Sequence, residues 1–282
     1  MKLAKDWKDY KVLATGDGEK LERWGDYTLL RPDPQVIWHA RTPLANYNGL
    51  DGHYIRSSSG GGTWHFKNKV PETWKVSWKD MHFIIKPMGF KHTGLFPEQA
   101  VNWNDLMALI QNSGRQIKVL NLFAYTGGAS VVCSKAGALV THVDASKGMV
   151  ERAKENALAN NITNIRFIID DCQKFIEREI RRGNFYDAII MDPPSYGRGT
   201  NGEMWKLEDN LFDFVELTKK VLSDKPLFVL ISSYTTGLGA SVLANILSLV
   251  FGEGNIDADE IGLPTDEGIV LPCGTRGIKI WK

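Results

Sequence analysis

Cysteine is scarce: of 282 residues, only Cys133, Cys172 and Cys273 carry a thiol. An odd, widely spaced set builds neither a disulfide framework nor a zinc-binding pattern. No metal site is therefore expected, and a reducing cytoplasm is the expected setting. Long apolar runs are lacking as well. No stretch approaches the roughly 18 apolar residues that span a bilayer. The most apolar C-terminal segment, residues 242–251, is short and interrupted by Asn245 and Ser248. The opening MKLAKDWKDY has no apolar centre, so neither a secretory signal nor a membrane partner is expected. Neither sign of charge dominates: 34 Lys and Arg against 33 Asp and Glu leave a formal net charge of +1. Taken whole, that argues against a strongly basic nucleic-acid binder. What remains, 43% hydrophobic and 24% charged residues, is the composition of a folded globular protein with one large domain or two.

The charge balance conceals a split. Up to Lys118 there are 17 basic and 12 acidic residues; from Val119 onward there are 17 and 21. Five of six His and seven of nine Trp also precede Val119. Asymmetry of this kind points to two functional parts.

Residues 1–86 read as a small β-rich domain. Runs at 27–30, 36–38, 63–66, 74–78 and 82–85 have strand character and are separated by turn signals such as Asp17-Gly18, Asp51-Gly52 and the SSSGGG tract at 57–62. Residues 87–116 form a linker and a helix that Pro97 opens. From 117 to 282 the pattern changes to apolar strands alternating with helices. This predicts an α/β fold, a doubly wound, Rossmann-like parallel sheet covered on both faces. Runs at 269–271 and 277–281 are expected to close it as a C-terminal antiparallel hairpin.

Four strand ends carry the candidate site. The first reads Asn121-Leu122-Phe123-Ala124-Tyr125-Thr126-Gly127-Gly128-Ala129-Ser130. Its glycines let backbone approach a ligand and open a helix N-terminus toward it. The spacing is not G-x-G-x-x-G, which disfavours a dinucleotide. Strand two ends in Asp144, about 20 residues after the glycine turn, where a carboxylate can accept from both hydroxyls of a ribose. Strand three ends in Asp170-Asp171-Cys172, where a carboxylate can accept from an adenine amine. Each also has a plainer reading, a tight turn or a helix cap. Together they suit an adenosine ligand without a polyphosphate. The fourth end, Asp192-Pro193-Pro194-Ser195-Tyr196, sets a rigid turn directly after an apolar strand. There the Asp192 carboxylate and Pro193 carbonyl can accept from a planar amino group, and Tyr196 can stack on the same plane.

These motifs resemble the class I S-adenosylmethionine-dependent methyltransferases, and more narrowly the bacterial methyltransferases of large-subunit ribosomal RNA bases. The likeness extends to Thr93-Gly94-Leu95-Phe96-Pro97-Glu98-Gln99, similar to that group's T-G-x-F-x-x-Q segment. It also takes in residues 16–38, typical of a less-studied subgroup. The resemblance implies S-adenosylmethionine as cofactor. Phe123, Tyr125, Thr126, Gly127 and Gly128 would surround its methionine part, and Asn121 would also contact the cofactor. Asp144, with Ala145 and Ser146 beside it, would bind the ribose, and Asp171 and Cys172 the adenine. Asp192, Pro193, Pro194 and Tyr196 would hold the acceptor. Cytosine-C5 methyltransferases resembling this group carry a nucleophilic Cys after strand five. Here residues 231–238 read ISSYTTGL, without one. Covalent catalysis by a thiolate at this place is therefore disfavoured, and methylation of a base nitrogen is expected.

The resulting expectation is an RNA methyltransferase with ribosomal RNA as partner, the basic, Trp-rich first part holding RNA. A homodimer is among the arrangements the resemblance allows. The glycine-containing loop 197–204 is a candidate lid over the substrate. A methyltransferase of proteins or small molecules, and a non-catalytic RNA-binding module, are the alternatives from other classes.

Overall fold

The computed structural model of the protein describes residues 1–57, 61–198, 204–234 and 237–281. Two compact units divide the chain: Lys2–Val101 with Gly262–Cys273, and Asn102–Ile261 with Met1 and Gly274–Lys282.

The first unit is β-rich. Its strands are the short β1 (Lys2–Leu3), then β2 (Tyr10–Gly16), β3 (Glu19–Trp24), β4 (Tyr27–Pro32), β5 (Gly52–Arg56), β6 (Gly62–Phe66), β7 (Trp74–Trp78) and β8 (Met81–Ile85). Strands β2 to β6 form one sheet in sequence order, and β7 pairs with β8 in a second. Two-residue turns drive this pattern. Asp17-Gly18 between β2 and β3 takes positive φ at both positions (53° and 80°), the twist that suits a tight hairpin. Residues 36–38, expected as a strand, are not one. Their carbonyls instead accept from the backbone N–H groups of that turn, Trp38 O from Asp17 N (2.8 Å) and Val36 O from Gly18 N (3.0 Å).

The interior of this sheet holds charge. Glu22 is fully buried: Tyr10 donates to it at 2.7 Å, and the Arg31 guanidinium clamps it with Nε at 2.6 Å and Nη2 at 2.8 Å. Lys20 bridges Asp33 at 3.1 Å. Burial pushes the Glu22 carboxyl up, but Arg31 and Lys20 outweigh it and bring it down to about 2.

The second unit carries α1 (Ala100–Gln111, all but its first two residues), β9 (Lys118–Leu122), α2 (Gly128–Lys135), β10 (Leu139–Asp144), α3 (Lys147–Ala159), β11 (Ile165–Ile169), α4 (Cys172–Arg182) and β12 (Ala188–Met191). It continues with β13 (Tyr196–Arg198), β14 (Met204–Lys206), α5 (Leu207–Lys219), β15 (Phe228–Ser233) and α6 (Ala240–Phe251), and shares β16 (Ile256–Pro264) and β17 (Val270–Ile280) with the first unit. The sheet runs β16-β17-β15-β12-β9-β10-β11. Strands β15, β12, β9, β10 and β11 are parallel, and β17 is antiparallel to β15. The chain winds outward from β9 through β10 to β11, then restarts on β9's other side with β12. This is the doubly wound order expected, and its switch point lies between β9 and β12. Leu122, Val143, Met191 and Ile231 stand at one level, so the residues after them share one edge. Beneath that edge a core of Leu120, Ile189, Val229, Phe175, Phe214 and Leu247 packs the helices onto the sheet.

One element differs from expectation. Residues 269–271 and 277–281 are not the two arms of a hairpin; nearly all of both lie on the single strand β17, and the arms are β16 and β17. The strand continues because Gly274, at φ 120°, passes so close to Ser233 that a Cβ would sit 2.3 Å from its carbonyl oxygen. Among the described residues, no helix is long and apolar enough to cross a membrane.

Removing one partner of a buried ion pair leaves an uncompensated charge. Glu22→Ala should therefore cost about 3–5 kcal/mol in urea unfolding, with replacement of both Glu22 and Arg31 by apolar residues less damaging than either single change. The folded carboxyl lies below its ordinary value of 4.5, so its contribution is present above that value and lost as pH falls toward about 2. The difference in unfolding midpoint between wild type and Glu22→Gln should shrink correspondingly when measured from pH 6 downward.

Candidate active site

The edge begins with the loop after β9. Phe123 and Tyr125 take left-handed φ of 53° and 50°, and Gly127 follows at 81°. Only the last is a glycine, so the loop must be held. Three bonds from its backbone hold it: Phe123 N donates to Cys172 Sγ (3.3 Å), Ala124 N to Val143 O (3.1 Å) and Tyr125 N to Asp144 Oδ2 (2.8 Å). Gly127 caps α2, and a Cβ there would lie 2.9 Å from Ala153 Cβ. A Cβ on Gly128 would lie 2.8 Å from the Trp103 ring. Thr126 is buried, and its carbonyl accepts from Asn156 Nδ2 at 2.8 Å.

Asp144 ends β10 half-buried. Besides Tyr125 N, it accepts Ser146 N at Oδ1 (2.8 Å), and Ser146 in turn caps α3, with Ala145 exposed between them. A carboxylate has about four lone-pair sites, so each Asp144 oxygen keeps one for a hydroxyl donor. On the neighbouring strand end, Asp171 caps α4 by accepting Lys174 N at 2.9 Å, and Asp170 pairs with Arg178.

Two expected site residues turn inward. Asn121 is buried beneath the loop, where it donates to Ser130 Oγ (2.9 Å), which lies 3.0 Å from His142 Nδ1. Cys172 is buried too. Its sulfur fastens Phe123, and burial pushes its thiol up. The other two cysteines are likewise buried, with their thiols raised by the same cause.

Across the switch point, β12 ends at Asp192-Pro193-Pro194-Ser195-Tyr196. Asp192 is half-buried, and burial pushes its carboxyl up to about 6. Pro193 is buried, whereas Pro194 and Tyr196 are exposed. The turn is stapled to the next elements: Leu207 N donates to Ser195 O (3.0 Å), Trp205 Nε1 to Pro194 O (2.6 Å) and Tyr196 OH to Met204 Sδ. Strand β13 pairs antiparallel with β14, Tyr196 opposite Lys206. Of the glycine loop read as a lid, residues 199–203 lie outside the described residues.

Sequence reasoning missed two supports. Trp205 and Phe214 pack on Phe123 with ring centroids 5.6 and 5.3 Å away, joining the turn after β12 to the loop after β9. On the far side, Arg276 is fully buried on β17. It donates to Asn102 Oδ1 (3.2 Å), to Asp105 and to Asp257 (2.7 Å). Asn102 passes the contact on to Ser232 Oγ (3.0 Å), level with Asp192 in the sheet. A lone arginine within the apolar pattern of β17 is the signal that could have revealed it.

This arrangement fits an adenosyl ligand with a cationic sulfur: a close backbone loop, a ribose-height carboxylate with spare lone pairs, a second carboxylate beside it and no anion cradle of the G-x-G-x-x-G type. Comparisons with known proteins agree. The family model for S-adenosylmethionine-dependent methyltransferases matches residues 39–210. The SAM-dependent methyltransferase of Agrobacterium tumefaciens superposes with a TM-score of 0.91 at 36% identity, covering 98% of this chain and 91% of that one. SMU.776, a methyltransferase solved in complex with SAH, superposes with a TM-score of 0.76 over 98% of this chain and 76% of its own, but at 21% identity it bears on the fold alone. Among curated relatives, ribosomal RNA large subunit methyltransferase K/L of Pseudoalteromonas translucida is 31% identical over 145 residues, half of this chain. Ribosomal RNA large subunit methyltransferase I of Tolumonas auensis is 35% identical over 111 residues, 38% of this chain. The chain spans only 20% and 27% of the length of these two relatives. The protein belongs to the S-adenosylmethionine-dependent methyltransferase family.

Proposed function

We propose that this enzyme transfers a methyl group from S-adenosylmethionine to a nitrogen of a nucleobase in ribosomal RNA, in a reducing cytoplasm. The observation that carries the reading is the pairing, across one switch point, of an adenosyl-fitting loop after β9 and β10 with the Asp192–Tyr196 turn after β12. The curated relatives named above act, by their names, on large-subunit ribosomal RNA.

In this reading Asp144 accepts from the two ribose hydroxyls, Asp171 accepts at the adenine edge, and the Phe123–Gly128 loop encloses the methionine part. Asn121 and Cys172 serve the site from beneath by holding that loop. When bound, S-adenosylmethionine supplies an electrophilic methyl on a sulfonium, open to in-line displacement by a nitrogen lone pair. What the protein adds is mostly positioning. The Asp192 carboxylate and Pro193 carbonyl accept the N–H groups of the acceptor, fixing its plane and directing its lone pair, while exposed Tyr196 stacks on that plane. A base within a helix must leave the stack to reach this turn. No thiolate enters, since every cysteine is buried with its thiol raised.

Three measurements test this. Asp144→Ala should abolish calorimetrically detectable S-adenosylmethionine binding at concentrations that saturate the wild type, with the thermal unfolding midpoint showing that the variant still folds. Ionised Asp192 is the stronger acceptor and has no O–H to turn toward the N–H donors, so kcat should rise with pH through about 6. Asp192→Asn should bind cofactor normally, lose that inflection and fall in kcat by about a hundredfold or more. Nucleoside mass spectrometry of ribosomal RNA from strains with and without the protein should reveal one methylated base that is lost on deletion. An unchanged profile would move the acceptor to a protein or small molecule.

A further inference from the structure

The first unit carries a surface that the methyl-transfer reading does not use. Strand β6 is the outer strand of its sheet. Trp64 and Phe66 lie two residues apart on it, hence on one face. Their rings stack with centroids 5.7 Å apart and planes within 9°. Trp64 is anchored from below: its Nε1 donates to Met88 O at 2.9 Å, and Tyr54 packs against its edge. Phe66 lies opposite Gly52 on β5, where a Cβ would come within 2.8 Å of the ring; the glycine makes room for it. Phe66 nevertheless leaves 47% of its surface exposed, and Phe90, two residues past Trp64's anchor, leaves 42%.

The stretch of chain that carries these rings is basic, although Asp51 lies beside Gly52, its carboxylate taken up by Thr28 N and Asn68 Nδ2 (2.8 Å each). Between Gly52 and Pro97 there are seven lysines and arginines and only two carboxylates, Glu72 and Asp80. Glu72 is already paired with Lys86. Arg56, at the end of β5 beside Gly62, and Lys69 are exposed. Lys91 is half-buried beside Phe90. Burial, the largest cause, pushes its amine down to about 8; Asp33 acts against this, and Lys20, Arg56 and Arg31 act with it.

We infer that the Trp64–Phe66 platform, with Arg56, Lys69, Phe90 and Lys91 around it, binds single-stranded RNA, a base stacking on Phe66 and phosphates at the surrounding cations. Stacked aromatics with interleaved cations recognise unpaired nucleotides because every base has a face and every linkage a charge. A protein partner for this aromatic face would bring carboxylates or an apolar surface. The excess of cations over so wide a stretch favours a polyanion instead. The inference rests on the proposal that the acceptor is RNA, which it deepens by naming where the strand is held.

The test uses the full-length protein and a short fluorescein-labelled single-stranded RNA of mixed sequence, followed by anisotropy over a series of KCl concentrations. Phe66→Ala should weaken binding by about tenfold, the loss of one stacked base. Arg56→Gln and Lys69→Gln should each flatten the slope of log K against log salt by about 0.7. The corresponding duplex should bind more weakly than the single strand. Calorimetric S-adenosylmethionine binding should be unchanged in all three variants, showing that each is folded. Single-strand binding that is the same in wild type and variants overturns the inference. So does a wild type that binds no RNA but sediments as a dimer that Phe66→Ala dissociates. If the variants lose affinity as expected while deletion leaves ribosomal nucleosides unchanged, the surface stands and only the choice of ribosomal RNA as acceptor fails.

Discussion

The catalytic end of the sheet depends on one carboxylate. Asp144 accepts the backbone N–H of Tyr125 from the adjacent loop and that of Ser146 from its own. The first bond matters because Phe123 and Tyr125 both hold left-handed φ without being glycine, a strain of about 1–2 kcal/mol each. A hydrogen bond to a charged group contributes about 1.5–3 kcal/mol, so the Asp144 and Cys172 contacts together offset the strain. The loop is thus pre-formed by the residue that, in the proposed reading, also accepts from the ribose. Shape and affinity at this edge are not separable.

A second carboxylate, at the same height across the switch point, is more strongly desolvated. Asp144 is held by two backbone donors at a helix start. Asp192 sits between an apolar strand and a pair of prolines, and burial pushes it up to about 6. In the proposed reading the two aspartates on this sheet edge have different roles, one as a fixed acceptor and one whose charge can change near pH 6. The aromatic contact of Phe123 with Trp205 and Phe214 joins the two halves, so a shift in the turn would be felt by the loop.

Much of the second unit was legible because its strands are nearly continuous apolar runs bounded by Gly, Ser and Asp that cap the following helices. Strands β10 and β11 and helices α2 and α4 fall where the pattern places them. The same continuity limits what can be read. A strand buried on both faces has no polar alternation, so nothing in the sequence says that Asn121 points down to Ser130 rather than up to a ligand. In the first unit the difficulty is reversed. Glu19-Lys20-Leu21-Glu22-Arg23 looks like a solvated run, yet Glu22 is buried, because Arg31, nine residues beyond it on another strand, cancels its charge. Pairing between strands is invisible to local pattern. The full extent of β17 is hidden for a related reason: nothing local shows that Gly274 lets the strand pass Ser233.

The opening charge balance takes on a different meaning once burial is known. The interior charges of the first unit cancel in pairs, Glu22 with Arg31 and Asp33 with Lys20. Its basic excess is therefore not spread through the fold. Much of it lies on the segment from Gly52 to Pro97, where cations outnumber carboxylates seven to two. A nearly neutral protein can in this way present a locally cationic face. Because few charges are involved, counterion release supplies only part of the binding to a polyanion. The balance must come from stacking on exposed rings, which salt screens far less than charge. Such a face discriminates between unpaired and paired nucleotides, a distinction that bulk positive charge cannot make.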